Sequence, residues 1–359
     1  MKVLQILPTI SYGDGVSNDC LAIGKALKER GIQTGIYALE IDSRLKQNSI
    51  QKLNMISEVS KDDILIYHLS SGNEWNYRFP ELPGKKILRY HNITPASFFQ
   101  KYNTLIQKNC DYGRASLLFL RDKVDYLLPV SKFNESELRR VGYKQPSKIM
   151  PILIPFKDYD RAGDEVTEKG VLDGKDNILF TGRIAPNKCQ QDVIKVFWFY
   201  HKYFNADSRL ILAGSWNGLE KYYHRLWEYT RELNIEKEVC FTGHINFEKL
   251  LSYYRTANFF VCMSEHEGFC IPLVEAMKFQ LPIIAYDCSA ISTTMGNGGV
   301  LLKEKNYLLA AMWLDQLKKN KDLLSEIMNS QKKQLELFQY DNVKEILYHA
   351  IKEIENLEV

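Results

Sequence analysis

The feature that most constrains this chain is an alternation that runs twice and breaks once. Short apolar runs of β type, at residues 3–7, 34–39, 63–69, 86–91 and 126–130, are separated by stretches with helical character. Residues 18–30 place Leu21, Ile23, Ala26 and Leu27 at helical spacing and close on Gly31, residues 98–123 read as mostly helical, and 134–141 as a further helix. Such alternation predicts a parallel sheet with helices on both faces. Residues 155–177 are charged, contain glycine and carry few large apolar side chains, which marks a domain junction. The alternation then restarts, with strands at 178–181, 209–213, 239–242, 259–263 and 282–286 and helices at 191–204, 219–233, 247–256 and 272–279. Residues 338–357 have amphipathic helical spacing. The expected layout is an α/β domain over 1–156, a second over 157–337, and a C-terminal segment, 338–359, that packs back on the first.

Bulk properties narrow the class. With 359 residues the chain has material for roughly two cores. A net charge of +3 gives no general attraction to nucleic acid, so any basic site is local. The seven cysteines are scattered without a C-x-x-C pair and sit mostly in apolar runs, as expected of reduced thiols in a cytoplasmic protein. The seven histidines never fall at metal-ligand spacing, so no metal is expected. The apolar start at residues 1–7 is too short for a signal peptide, and no apolar stretch approaches the ~20 residues that span a bilayer.

Two segments carry chemistry. In Ser264-Glu265-His266-Glu267-Gly268-Phe269-Cys270-Ile271-Pro272-Leu273-Val274-Glu275, a strand runs into a glycine turn and then a helix whose Pro272 suits a first turn. Free amides from Phe269 to Leu273 would face an anion at the helix N-terminus. Glu267 can accept hydrogen bonds from sugar hydroxyls, and Glu275, one turn into the helix, from ribose hydroxyls. The bland alternative is a turn with two solvated glutamates. In Gly182-Arg183-Ile184-Ala185-Pro186-Asn187-Lys188, two cations flank a proline turn, and Gly182 allows a ligand close to the backbone. Arg183 can fork two phosphate oxygens while Lys188 acts as a point charge, so both can converge on one diphosphate.

Taken together, these segments resemble the retaining GT-B glycosyltransferases of bacterial polysaccharide and glycolipid synthesis, the glycosyl transferases group 1, mannosyltransferases among them. That family's G-R-x(4)-K and E-x(7)-E patterns match Gly182, Arg183 and Lys188, and Glu267 and Glu275. The resemblance extends to Gly13-Asp14-Gly15 and to Tyr90-His91-Asn92. It implies two Rossmann-like domains facing a central cleft, with a C-terminal helix crossing back to the N-terminal domain. It implies that Arg183 and Lys188 hold the diphosphate, Glu267 with Gly268, Phe269, Cys270 and Ile271 the donor sugar, and Glu275 the ribose. Main chain at His244 and Ile245 would meet the base, and His91 would face the donor sugar. Gly13 and Gly15 would line the cleft near the phosphates; the alternative there is a plain strand-to-helix turn. Ser131 is a further cleft candidate. His68 lacks comparable support.

Asp158-Tyr159-Asp160 has the D-x-D form of metal-dependent enzymes but lies at the junction and reads as linker. The resemblance accordingly implies an activity that is metal-independent, needs no cofactor and retains configuration. It moves a hexosyl group from a nucleoside-diphosphate sugar to a glycan or lipid-linked acceptor. GDP-mannose is the first donor to consider, with UDP- and dTDP-sugars open. The competing readings are a sugar-nucleotide epimerase and a non-catalytic sugar-nucleotide-binding protein. The aromatic and basic residues of 98–121 present either a face for the inner surface of the cytoplasmic membrane or a helix packed on its own sheet.

Overall fold

The computed structural model describes residues 1–45, 50–56 and 59–357, so the last two residues of the expected C-terminal segment lie outside it. Two six-stranded sheets organise the chain. The first contains β1 (Val3–Ile10), β2 (Thr34–Ile41), β3 (Ile50–Lys52), β4 (Ile64–Leu69), β5 (Lys85–Tyr90) and β6 (Tyr126–Leu127). The second contains β7 (Asp176–Thr181), β8 (Ser208–Ala213), β9 (Val239–Gly243), β10 (Phe259–Cys262), β11 (Ile283–Tyr286) and β12 (Val300–Leu302). The orders are β3-β2-β1-β4-β5-β6 and β12-β11-β10-β7-β8-β9, which are the same order once the second is read in reverse. The paired strands run parallel in both. Every residue of β4 and β7 is buried. β4 is accordingly a near-continuous apolar run and β7 carries Ile178, Leu179 and Phe180 in succession rather than in alternation, as expected of strands covered on both faces.

By its contacts the chain divides into one unit of Met1–Ser97, Thr104–Pro155 and Phe338–Val359, and a second of Phe98–Asn103 and Phe156–Leu337. In the first, helix Tyr340–Glu355 buries Val343, Leu347, Ala350, Ile351 and Ile354 in one core with Val3, Ile23, Ile64 and Ile87. Lys85 Nζ donates to the carbonyls of Ile354, Glu355 and Leu357 at 3.2, 2.9 and 2.7 Å, satisfying the helix's last acceptors.

Several expectations are revised. Residues 98–123 are mostly helical as expected, but with a break: a short turn at Ala96–Phe99 precedes helix Thr104–Leu120, and Phe98–Asn103 goes with the second unit. Tertiary contacts explain the break: the Tyr102 ring packs edge-on against Tyr222, and Asn103 donates to the Gly218 carbonyl at 2.7 Å. The first helix spans Gly15–Glu29, so Gly15 sits in its opening turn rather than in a loop. Asp14 caps that helix by accepting from the Ser17 amide at 3.0 Å. The charged junction stretch contains helix Glu165–Val171, and helices Tyr307–Lys319 and Lys321–Glu336 follow β12.

Candidate functional site

In open α/β sheets ligands bind beyond the carboxyl ends of the strands where the strand order reverses. In the second sheet that point lies between β7 and β10, and the two chemistry-bearing segments are the loops leaving those strands. Hydrogen bonds to main-chain carbonyls lace the loops together. The Glu265 amide donates to the Asn187 carbonyl at 2.9 Å, and the Asn187 side chain donates to the His266 carbonyl at 3.1 Å. Close approach of β8 to the first loop depends on Gly214, where a Cβ would lie 1.9 Å from the Gly182 carbonyl oxygen.

This lacing brings Lys188 Nζ to 2.6 Å from a Glu267 carboxylate oxygen, with the two side chains 22% and 7% exposed. Burial alone would lower the Lys188 pKa, but the Glu267 charge and hydrogen bond prevail and the net shift is upward. The lysine stays charged. Arg183 is exposed, and its guanidinium donates to the Asn217 carbonyl at 2.9 Å. The Glu267 amide is held by Ser289 Oγ at 2.8 Å.

Helix Ile271–Lys278 starts as expected, with Pro272 in its first turn and Cys270 at its N-cap in the left-handed region, φ 71°. One expected amide is not free: Leu273 N–H donates to the Cys270 carbonyl at 3.1 Å. Cys270 is buried beside Cys262, whose thiol pKa is lowered by the hydrogen bond from Cys270, while that bond and burial push Cys270 up.

Glu275 is not a solvated glutamate. Its two carboxylate oxygens accept from the Tyr159 and Tyr254 hydroxyls, each at 2.7 Å, and Tyr254 is also paired with Thr181 Oγ1 at 2.6 Å. Burial raises the Glu275 pKa, and the two phenols oppose that rise. The linker reading of Asp158-Tyr159-Asp160 is therefore incomplete. Asp158 and Asp160 pair with Arg161 and Lys278 at 2.7 and 2.9 Å, but Tyr159 is buried against Glu275. His244 is exposed and Ile245 half-buried after Gly243, against which the Trp216 ring packs. Trp216, Tyr159, Tyr254 and Ser289 were missed by pattern reasoning, because each reaches the site through the fold rather than through a local motif.

The first unit has its own reversal, between β1 and β4. Gly13 has φ 77° in the turn after β1, and His91 follows β5. His91 lies against His68, ring centroids 5.2 Å apart, and near a fully buried ion pair between Arg89 and Asp19 at 2.9 Å. Ser131 caps helix Lys132–Val141 by accepting from the Asn134 amide at 3.2 Å. Among the described residues, ligand atoms able to hold a metal gather within 4.8 Å in three groups: Asp19, His68 and His91; Cys262, Glu267 and Cys270; and Cys189, Asp192 and Glu265. Each already has a protein cation on a carboxylate: Arg89 on Asp19, Lys188 on Glu267, and Lys305 on Asp192 and Glu265.

Two parallel six-stranded sheets of one strand order, with a charged switch point in the second, define a GT-B fold. Residues 164–334 of the chain match the model of the family Glycosyl transferases group 1. The chain is 25% identical over 231 residues, 63% of its length, to O-antigen chain mannosyltransferase B of Escherichia coli. It is 28% identical over 176 residues, 47% of its length, to an alpha-monoglucosyldiacylglycerol synthase of Streptococcus pneumoniae. The matches span only 59% and 38% of those relatives' lengths. Anabaena Alr3699/HepE, solved in complex with UDP and glucose, superposes with TM-score 0.78 at 13% identity over 98% of this chain and 100% of that one. WaaG, a glycosyltransferase involved in lipopolysaccharide biosynthesis, does so with TM-score 0.70 at 13% identity over 99% and 100%. Among the described residues, no helix is long and apolar enough to cross a membrane.

Proposed function

We propose that the chain is a retaining glycosyltransferase acting on a nucleoside-diphosphate sugar, GDP-mannose first, with a glycan or lipid-linked glycan as acceptor. The observation that carries this reading is the charged switch point of the second unit, where Lys188 meets Glu267 at 2.6 Å in the loop that also presents Arg183. Lys188 has three N–H donors, so it can keep Glu267 and still engage a phosphate. Arg183 and the N-terminus of helix Ile271–Lys278 add positive character. Glu267 receives the donor sugar, and Glu275, with one phenol on each oxygen, keeps lone pairs for ribose hydroxyls. The main chain at His244 and Ile245 meets the base, and His91 acts on the sugar.

In this reaction the bond from the anomeric carbon to the diphosphate breaks and a bond to an acceptor oxygen forms on the same face. The acceptor's proton passes to the departing phosphate. Charge grows on that phosphate, where preorganised cations lower the barrier. Two cations match the two charges of a bound diphosphate, so the mechanism calls for no metal or cofactor. The O-antigen mannosyltransferases of Escherichia coli and Salmonella typhimurium among the relatives support a mannosyl donor. The UDP bound by structural neighbours keeps UDP-sugars in the test.

The test is a panel of GDP-, UDP- and dTDP-sugars assayed for thermal stabilisation and for nucleoside diphosphate released with and without acceptor glycans. Acceptor-dependent release, with the anomeric configuration kept by NMR, is the expected result. Epimerised sugar nucleotide formed without acceptor, or binding without any release, would overturn the transferase reading. The acceptor side and any contact with the inner face of the cytoplasmic membrane are read by liposome flotation in the same series.

A further inference from the structure

His68 ends a buried strand and at first sight is a core histidine. Its hydrogen bonds say more, because they can be assigned in only one direction. The Cys20 carbonyl can only accept, so the part of the Gln5 amide facing it at 3.0 Å is the NH2 group. Gln5 Oε1 therefore faces His68 Nε2, at 2.9 Å, and that nitrogen carries the proton. His68 Nδ1 is then a bare lone pair, and it lies 3.0 Å from His91 Nε2. The His91 proton must sit on Nε2. The Asp19 carboxylate, 3.7 Å from that same Nε2, favours the proton there independently.

One nitrogen is left over. His91 Nδ1 is buried, has no partner among the described residues, and belongs to a side chain only 3% exposed. Burial holds both imidazoles well below the usual histidine range, with the neighbouring Arg89 charge adding to the effect, so both rings are neutral. The surroundings are firmly held. Asn92, at φ 84°, donates to Asn134 and Glu137 at 2.9 and 3.1 Å, and the His91 amide donates to the Leu69 carbonyl at 3.0 Å. A histidine pair serving only the core would end with both outer nitrogens satisfied. This one is satisfied at the Gln5 end and open at the His91 end.

We propose that Gln5 and His68 are positioning residues that fix the tautomer of His91, so that its Nδ1 stands as a hydrogen-bond acceptor for a substrate hydroxyl. The hydroxyl's identity as part of a sugar nucleotide rests on the function proposed above; the tautomer does not. An acceptor nitrogen selects for an O–H pointing at it, whereas the other tautomer would donate to that oxygen instead. The relay therefore sets the sign of the interaction.

The test is long-range nitrogen–proton NMR on the full chain labelled in histidine, with the His91 signals identified by their loss in His91→Gln. The expected result at neutral pH is His91 protonated on Nε2 and bare on Nδ1, with His68 the same. His91 found protonated on Nδ1, or charged, overturns the proposal without recourse to any variant. His68→Leu should release His91 into a mixture of tautomers. His68→Asn, which keeps an acceptor oxygen near the position of Nδ1, should restore the single form; no difference between the two variants also counts against the relay. Adding GDP-mannose should shift the Nδ1 resonance, and GDP alone should not. If neither compound raises the melting temperature, the donor reading fails, while the tautomer is still decided in the free protein.

Discussion

The two units share one strand order and treat charge at their switch points in opposite ways. In the first, Arg89 and Asp19 are fully buried. The guanidinium donates to both Asp19 oxygens and to the carbonyls of Leu128, Met150 and Pro151. Asp19 also accepts the Leu153 amide at 2.8 Å. Every donor of that arginine is engaged within the protein. In the second, the Lys188–Glu267 pair is 22% and 7% exposed, and Arg183 reaches solvent. One scaffold thus uses an ion pair as a fastener and its counterpart keeps cations available. Topology sets where a site forms, and desolvation decides whether the charge there is structural or chemical.

The largest expected effect comes from ending the chain at residue 337. That removes Val343, Leu347, Ala350, Ile351 and Ile354 from the first core. At roughly 1.5–3 kcal/mol for each large buried side chain, the loss rivals the ~5–15 kcal/mol stability of a whole domain. Proteolysis and circular dichroism should show the first unit unfolded and the second still cooperative. Next, Asp19→Ala strands the Arg89 charge and should cost the first unit about 3–5 kcal/mol in denaturant titration. A neutral result would break the contrast between the units. Lys188→Ala should act on chemistry instead, lowering turnover by roughly 10²–10³ while the unfolding of the first unit stays unchanged. Near-normal turnover would end the diphosphate role.

The smallest effect is one of pH. Burial holds the Glu275 carboxyl above its ordinary range. A group raised in the folded state contributes stability that is full below its unfolded pKa and is lost as pH rises through the folded value. The stability of wild type relative to Glu275→Gln should therefore fall as pH climbs from the ordinary glutamate range. A flat difference between the two profiles would mean that the phenols cancel the cost of burial.

How much of this was legible depended on the distance between cause and effect. The strands β7 and β10 and the loops leaving them were readable, because Ile178, Leu179 and Phe180 and then residues 259–263 are unbroken apolar runs and the cations and glutamates follow closely. The start of helix Ile271–Lys278 was readable from Pro272. Residues 287–337 were not assigned from pattern. β12 is only three residues long, and Leu308, Leu309 and Met312 are each more than two-fifths exposed, which blurs the helical stripe. The break after Phe98 was hidden because its cause lies at Tyr222 and Gly218. Tyr159 was hidden inside a motif that drew attention to its two aspartates. His68 had a trace in the sequence: it pairs with Arg89 across β4 and β5, and His91 is two residues on, on the same face. That signal appears only once the register is known.

The helix that completes the first core follows the whole second unit along the chain. On the ribosome, the second unit can close as soon as its own residues have emerged, whereas the first must wait for a helix that begins at Tyr340, long after its last sheet strand ends at Leu127. Through that interval the apolar face formed by Ile23, Ala26 and Leu27 has no partner from helix Tyr340–Glu355. The chain that starts first therefore matures last, and a chaperone acting on nascent protein would find its longest-lived target near the N-terminus.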